Sequence, residues 1–278
     1  MGRIAVVGLG LIGGSVAAAL KRAGHHVCGF DENSETAEVA HELALIHELA
    51  TTLRSAVAGA EMVVVAVPIA AVPHVVAEID ETAESGATVL DTASVKDSVI
   101  EAMERLPHAE RFVGGHPMAG TESTGPQSAR ADLFQKRPFA LVPSSRTTSE
   151  ALLAARRLVE SLGAYPLVLE AALHDEIVAR TSHMPYLAST ALALSCEPGD
   201  YRLAGPGLHD MLRLASGDRG MWHDIAVENR EPILSALAHY RKNLDEVMQA
   251  LDEGRWDDFD SLLLRGQEAA SNIRRPTT

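Results

Sequence analysis

The segment Gly8-Leu9-Gly10-Leu11-Ile12-Gly13 sits between an apolar run, residues 3–7, and a stretch of helical spacing, residues 14–22. Few folds need three glycines at this spacing between a strand and a helix. The first permits a tight turn, the second lets a diphosphate approach the backbone, and the third lets helix and strand pack closely. The helix start then offers N–H groups and a partial positive charge to phosphates. The next apolar run, 26–30, is followed by Asp31. An acid there accepts hydrogen bonds from ribose hydroxyls and repels a 2′-phosphate, so the expected cofactor is NAD rather than NADP. Gly8, Gly10, Leu11, Ile12, Gly13 and Asp31 are the expected cofactor-binding residues of this segment.

The first 170 residues alternate such runs with helical patterns. Further runs lie at 62–67, 87–90, 111–114, 138–142 and 165–169. They are rich in Val, Ile, Ala and Leu without clean alternation, as strands buried on both faces are. Helical segments intervene at 70–82, 97–105 and 149–162, with Asp97 and Ser149 placed as N-caps. Strand–helix–strand alternation predicts an α/β fold with a Rossmann-type doubly wound parallel sheet. After Glu170 the strand runs stop, and helices are expected over 171–196, 207–215, 219–252 and 256–272. Pro185 and Pro232 fall inside two of these and predict a kink or break in each. The chain thus divides into an α/β domain, 1–170, and an all-helical domain, 171–278. The last residues, from 272, are expected to fray.

Asp and Glu number 38 against 24 Lys and Arg, a net charge of −14 at pH 7. Such a chain lacks the electrostatic footprint of a protein that binds nucleic acid or an anionic membrane. Aromatic residues, at 4%, offer no stacking platform for single strands. Cys28 and Cys196 stand in apolar runs without a CxxC partner and are expected to be reduced thiols. The 12 histidines show no HExxH or paired Cys/His spacing, so no metal is expected. No apolar stretch reaches the roughly 20 residues of a membrane span. With no secretory pattern at the start, the expected compartment is the cytoplasm.

Ligands bind such sheets at the C-terminal ends of the strands. Val67 and Pro68 close one run there and join the cofactor-binding set. Ser94 and Lys96, in the turn Asp91-Thr92-Ala93-Ser94-Val95-Lys96, are placed over the nicotinamide end. Helix capping by Ser94 and solvation of Lys96 are equally open for them. His116 follows the run 111–114 in a loop framed by Gly115 and Pro117. An imidazole, with a pKa of about 6.5, suits proton abstraction at neutral pH when held in one orientation.

The runs GLGLIGGS (8–15), DTASVK (91–96) and HPMAG (116–120), then SHMP (182–185), DMLRLA (210–215) and Met221-Trp222, together resemble the prephenate/arogenate dehydrogenase family. The resemblance spans nearly the whole chain, in order. It implies oxidation of a cyclohexadienol that bears a ring carboxylate. Hydride leaves the carbinol carbon for NAD, a base takes the hydroxyl proton, and the dienone aromatises with loss of carbon dioxide. It implies His116 as acceptor of that proton, with Ser94 bridging histidine and hydroxyl. It implies Arg213 as the residue that grips the ring carboxylate bidentately. His183 and Trp222 would line the pocket from the helical domain, and Lys96 completes the expected substrate-binding set. The implied substrate is a small dicarboxylate, prephenate ahead of arogenate, in tyrosine biosynthesis. The implied partner is a second copy of the chain, paired through residues 171–278, while residues 1–170 bind the dinucleotide. The chain departs from the family pattern at Tyr186, where a second histidine often stands, at Pro206, and at Met211-Leu212. Two other functions remain open. A β-hydroxyacid dehydrogenase would want a lysine in the helical domain, where only Lys242 stands. A non-catalytic NAD-binding module would not need His116.

Overall fold

The computed structural model of the chain describes residues 2–82, 86–121, 123–197 and 199–273. Two compact units divide it, Met1–Arg230 and Glu231–Thr278. The first opens with strand β1 (Arg3–Val7), helix α1 (Leu11–Arg22), β2 (His26–Phe30), α2 (Ser34–Glu42), β3 (Glu48–Leu49) and α3 (Leu53–Val57). It continues with β4 (Met62–Val65), α4 (Val72–Thr82), β5 (Thr88–Asp91), α5 (Asp97–Glu104) and β6 (Phe112–Pro117). Then come β7 (Pro138–Pro143), α6 (Ser149–Ser161) and β8 (Tyr165–Val168).

The strands form one sheet in the order β3-β2-β1-β4-β5-β6-β7-β8. Strands β1 to β6 are parallel, and their Val-rich runs are buried on both faces: Val6, Val27, Val64, Val89 and Val113 have no exposed surface. Because β1 lies between β2 and β4, the connections reverse direction beside it, and a crevice opens at the strand ends. Val16 and Leu20 of α1 and Val159 of α6 cover the sheet in one apolar cluster with Phe134, Phe139 and Leu141. Each of these large side chains contributes about 1.5–3 kcal/mol by leaving water.

The sheet departs from the expected all-parallel pattern at β7, which runs antiparallel to β6, with Gly115 opposite Leu141 and His116 opposite Ala140. The described part of the segment 118–137 holds a short 3₁₀ turn, Pro126–Ser128, and no crossover helix, so the chain doubles back. Helix α6 then supplies a crossover, and β8 lies parallel to β7. As the outermost strand, β8 leaves Leu167 and Val168 about half exposed, unlike the fully buried runs before it. Two helix starts shift by one residue. Thr148, not Ser149, caps α6 by accepting from the Ala151 N–H at 3.2 Å. Asp97 is likewise the first residue of α5 rather than its cap.

Beyond Val168 the described chain is helical. The expected helix over 171–196 is α7 (Ala171–Val178), a π-helical turn (Ala179–His183) and α8 (Met184–Leu194). The break falls where Pro185 withholds the N–H that the Thr181 carbonyl would accept, and the backbone widens there into the π turn. Helix α9 (Pro206–Leu212), a 3₁₀ turn (Arg213–Ser216) and α10 (Arg219–Glu228) follow. Next come α11 (Arg230–Asp252) and α12 (Trp256–Ile273). The expected helix over 219–252 is thus split at Asn229, and Pro232 sits in the first turn of α11, where its missing N–H costs no hydrogen bond. The frayed end expected from 272 lies, beyond Ile273, outside the described residues. Among the described residues no helix is long and apolar enough to cross a membrane.

Candidate active site

The glycine segment forms a backbone groove at the end of β1. Gly8 has φ +88°, and a Cβ there would lie 2.4 Å from the Ala66 carbonyl oxygen. A Cβ on Gly13 would lie 1.8 Å from the Gly8 carbonyl oxygen, so α1 can start this close to the turn only without a side chain. Gly10 is the reverse case: nothing lies within 4 Å of where its Cβ would be. It is the N-cap of α1, and no side chain bonds the helix start, where Leu11 and Ile12 begin the first turn. An open groove over a helix N-terminus is the chemistry that holds a diphosphate. Asp31 stands beside it at the end of β2, its carboxylate accepting from Leu9 N–H at 2.7 Å and Asn33 N–H at 2.9 Å. Half-buried Val67 and exposed Pro68 follow β4 on the other flank, next to the Ala66 N–H that donates to the Val7 carbonyl at 2.7 Å. The donor set, the open space and the acid fit a dinucleotide.

Strand β5 ends in Asp91, which is wholly buried and accepts from Ala93 N–H at 2.7 Å, Gly115 N–H at 2.9 Å and the Lys96 ammonium. Burial pushes the Lys96 pKa down, and the carboxylates of Asp91 and Asp175 oppose it. Lys96 therefore differs from expectation. It has no exposed surface with which to meet a substrate, because its charge is committed to Asp91 under the sheet end. Ser94, in the same turn, is half-buried.

His116 lies on β6 itself, not in a loop beyond it, because pairing with β7 carries the strand on to Pro117. The ring is 9% exposed, and its Nδ1 is 2.9 Å from Nε2 of His174 on α7. Nδ1 of His174 is in turn 2.7 Å from Oδ1 of Asp175. The two carboxylate oxygens of Asp175 accept from the N–H groups of Lys96 and Asp97, each at 2.8 Å. Asp175 thus caps α5 from more than 70 residues along the chain. Burial, reinforced by His174, Lys96 and His183, holds the His116 pKa well below the usual imidazole range, so the ring is neutral at pH 7.

The π turn ends in His183, 1% exposed. Its Nδ1 lies 3.0 Å from the amide nitrogen of Asn229, which also donates to the Asp175 carbonyl at 3.0 Å. That nitrogen only donates, so His183 accepts at Nδ1 and carries its proton on Nε2. Burial pushes its pKa down to about 4. Trp222 of α10 meets His183 edge-on, ring centres 5.9 Å apart, and stacks on Tyr186 at 3.7 Å and 10°. Tyr186, the departure from the family pattern, thus forms one aromatic wall with Trp222. Arg213 is exposed, on the 3₁₀ turn after α9. Buried Ser189 fixes that turn to α8, donating to the Met211 carbonyl at 2.6 Å and accepting from Ala215 N–H at 3.1 Å.

The bonded network therefore gathers His116, Lys96, His183 and Trp222, while the glycines and Asp31 line the groove. It also holds three residues that sequence reasoning missed: His174, Asp175 and Asn229. Their partners are distant in sequence: β6 for His174, α5 for Asp175, and Asp175 with His183 for Asn229. A His-Asp pair heading the first helix after the sheet was the one available signal. Among the described residues no group of three His, Cys, Asp or Glu side chains is gathered to hold a metal.

Residues 16–168 match the family model described as the nucleotide-binding domain of prephenate dehydrogenase, and residues 170–265 the one described as its dimerization domain. The prephenate dehydrogenase of Bacillus subtilis is 30% identical over 263 residues, covering 90% of this chain and 70% of that protein. The crystal structure of prephenate dehydrogenase from Aquifex aeolicus, in complex with hydroxyphenyl propionate and NAD+, superposes with a TM-score of 0.91 at 27% identity, covering 98% of both chains. That of Synechocystis arogenate dehydrogenase gives 0.84 at 31% identity, covering 98% of this chain and 99% of the other.

Proposed function

This chain belongs to the prephenate dehydrogenase family, and from that premise we propose that it converts prephenate to 4-hydroxyphenylpyruvate by NAD-dependent oxidative decarboxylation. The observation that carries this function is a neutral, buried imidazole, His116, at the end of the same sheet that bears the glycine groove. NAD, when bound in the glycine groove, would supply the hydride acceptor for the carbinol carbon. His116 takes the hydroxyl proton at Nε2, the ring nitrogen that His174 does not engage. Ser94 bridges that histidine and the hydroxyl. Once carbon dioxide leaves, the electron pair of the broken carbon–carbon bond runs through the ring to the same oxygen. His116 then returns its proton there, so the protein ends the cycle as it began.

Arg213 grips a substrate carboxylate as a fork, and His183 donates from Nε2 to a second acceptor. Trp222, with Tyr186 behind it, walls the ring. Lys96 is kept out of this set by its complete burial and acts on the site through Asp91. Gly8, Gly10, Leu11, Ile12, Gly13, Val67 and Pro68 cradle NAD, and Asp31 reads its ribose. Residues 1–170 carry dinucleotide binding, and residues 171–278 carry substrate binding and pairing of two copies. The dimerization-domain match supports that pairing, as does the exposed stripe Leu244, Met248 and Leu251 on α11. The expected compartment is the cytoplasm.

The test is NADH formation by the purified protein with prephenate and, separately, with arogenate, which bears an ammonium where prephenate has a keto oxygen. Turnover faster with prephenate is expected. Turnover of arogenate alone would reassign the substrate. Turnover of neither, with NAD still bound, would overturn the activity.

A further inference from the structure

The chain His116–His174–Asp175 carries a consequence beyond the reaction itself. A carboxylate only accepts hydrogen bonds, so at 2.7 Å from Asp175 the Nδ1 of His174 must donate. With that single proton on Nδ1, His174 has a lone pair at Nε2, and at 2.9 Å from His116 Nδ1 it accepts. His116 is left with its proton on Nδ1 and its lone pair on Nε2. With the proton on the other nitrogen, the base would have nothing to accept with. We infer that His174 is a positioning residue: held by Asp175, it fixes His116 in the one tautomer that can take a proton at Nε2.

The geometry fits that role. His174 is 1% exposed and Asp175 2% exposed, so water does not compete for either bond. Asp175 is itself immobilised by the Lys96 and Asp97 N–H groups. Asn229 grips the Asp175 carbonyl and His183 together, so the support behind His116 reaches the pocket wall. The charged and titratable groups around the pair are Lys96 with Asp91, Asp175 and His183. A base oriented by a third group is a recurrent arrangement in nucleophile activation, and here the third group is a second imidazole.

The inference rests on His116 being the base, and its test separates the two. The first measurement is 15N NMR of the ligand-free, histidine-labelled full chain at neutral pH, with His116 signals assigned by the His116→Asn spectrum. The wild type is expected to carry the His116 proton on Nδ1. His174→Gln keeps an acceptor, the amide oxygen, where Nε2 stood, and should preserve that tautomer. His174→Leu removes it and should give a mixture. The second measurement is steady-state kinetics with NAD and prephenate. His174→Leu should lower kcat by about 10²-fold, the scale of a lost acid–base contribution, and His174→Gln should recover at least about tenfold of it. KM for prephenate and Kd for NAD should stay within about twofold in both, a split that a loss of fold would not produce.

A wild-type His116 protonated on Nε2 would overturn the inference. So would a His174→Leu variant with wild-type kcat, or Gln and Leu variants that lose kcat, KM and NAD affinity together. If His174→Leu does not fold, the wild-type spectrum and the Gln variant decide alone. If the wild type turns over no cyclohexadienyl substrate yet shows the Nδ1 proton, and His174→Leu loses it, the positioning stands and the assigned activity falls.

Discussion

Two histidines of the site are kept neutral by burial, and that neutrality has separate consequences for rate and for stability. His116→Asn removes the proposed proton acceptor while leaving the glycine groove untouched. It should lower kcat by about 10²–10⁴-fold with Kd for NAD unchanged, measured by steady-state kinetics and NAD titration. Near-normal kcat would displace His116 from its role. His183, with a pKa of about 4 when folded against about 6.5 unfolded, binds its proton more readily in the unfolded chain. Its neutral form therefore stabilises the fold fully above about pH 6.5, and this is lost as pH falls. By pH 4 the loss is about 3 kcal/mol. Urea unfolding at pH 7.5 and 4.5 should show the wild type losing more stability than His183→Asn, whose amide oxygen can still accept from Asn229. Equal losses would place the acid sensitivity elsewhere.

At the scale of elements, the π turn Ala179–His183 sits between two regular helices and ends at the buried His183. Pro185→Ala restores an N–H to the Thr181 carbonyl and lets the turn tighten towards α-helix, which would swing His183 away from Asn229. The expected outcome is kcat/KM for prephenate lowered by about tenfold, the order of one hydrogen bond, with NAD affinity unchanged. Wild-type kcat/KM would mean that packing rather than proline holds the turn.

The same elements show what a sequence can and cannot reveal. The strands β1, β2, β4, β5 and β6 were legible because burial on both faces demands unbroken Val, Ile and Ala, and the glycine groove because Gly8 and Gly13 each have a steric task and Gly10 leaves the groove open. The two-residue β3 is too short to carry a pattern. The reversal at β7 depends on a helix that the described part of segment 118–137 does not form. The Pro185 break was legible as a break, but its π geometry depends on packing. His174 carried only the adjacent Asp175 as a signal, since its partner on β6 is 58 residues away. Lys96 was expected in the substrate-binding set because nothing local announces the buried Asp91 that holds it.

For the molecule as a whole, the exposed apolar stripe on α11 and the dimerization-domain match lead to one expectation about mass. Light scattering should give about twice the 29.6 kDa of one chain. A monomer would require another explanation for that stripe.

The cap that Asp175 supplies to α5 limits how far this protein can be dismantled. The sheet is complete at Val168, and a designer seeking a portable dinucleotide cassette would cut just after it. That cut discards the acid that finishes α5 and the imidazole behind His116 in a single stroke. What remains would keep the groove but would begin α5 with bare amides and leave Lys96 with one carboxylate neighbour fewer. A chimera built on this half would inherit the cofactor but not the chemistry, unless the grafted helices bring an acid and a histidine to the same place.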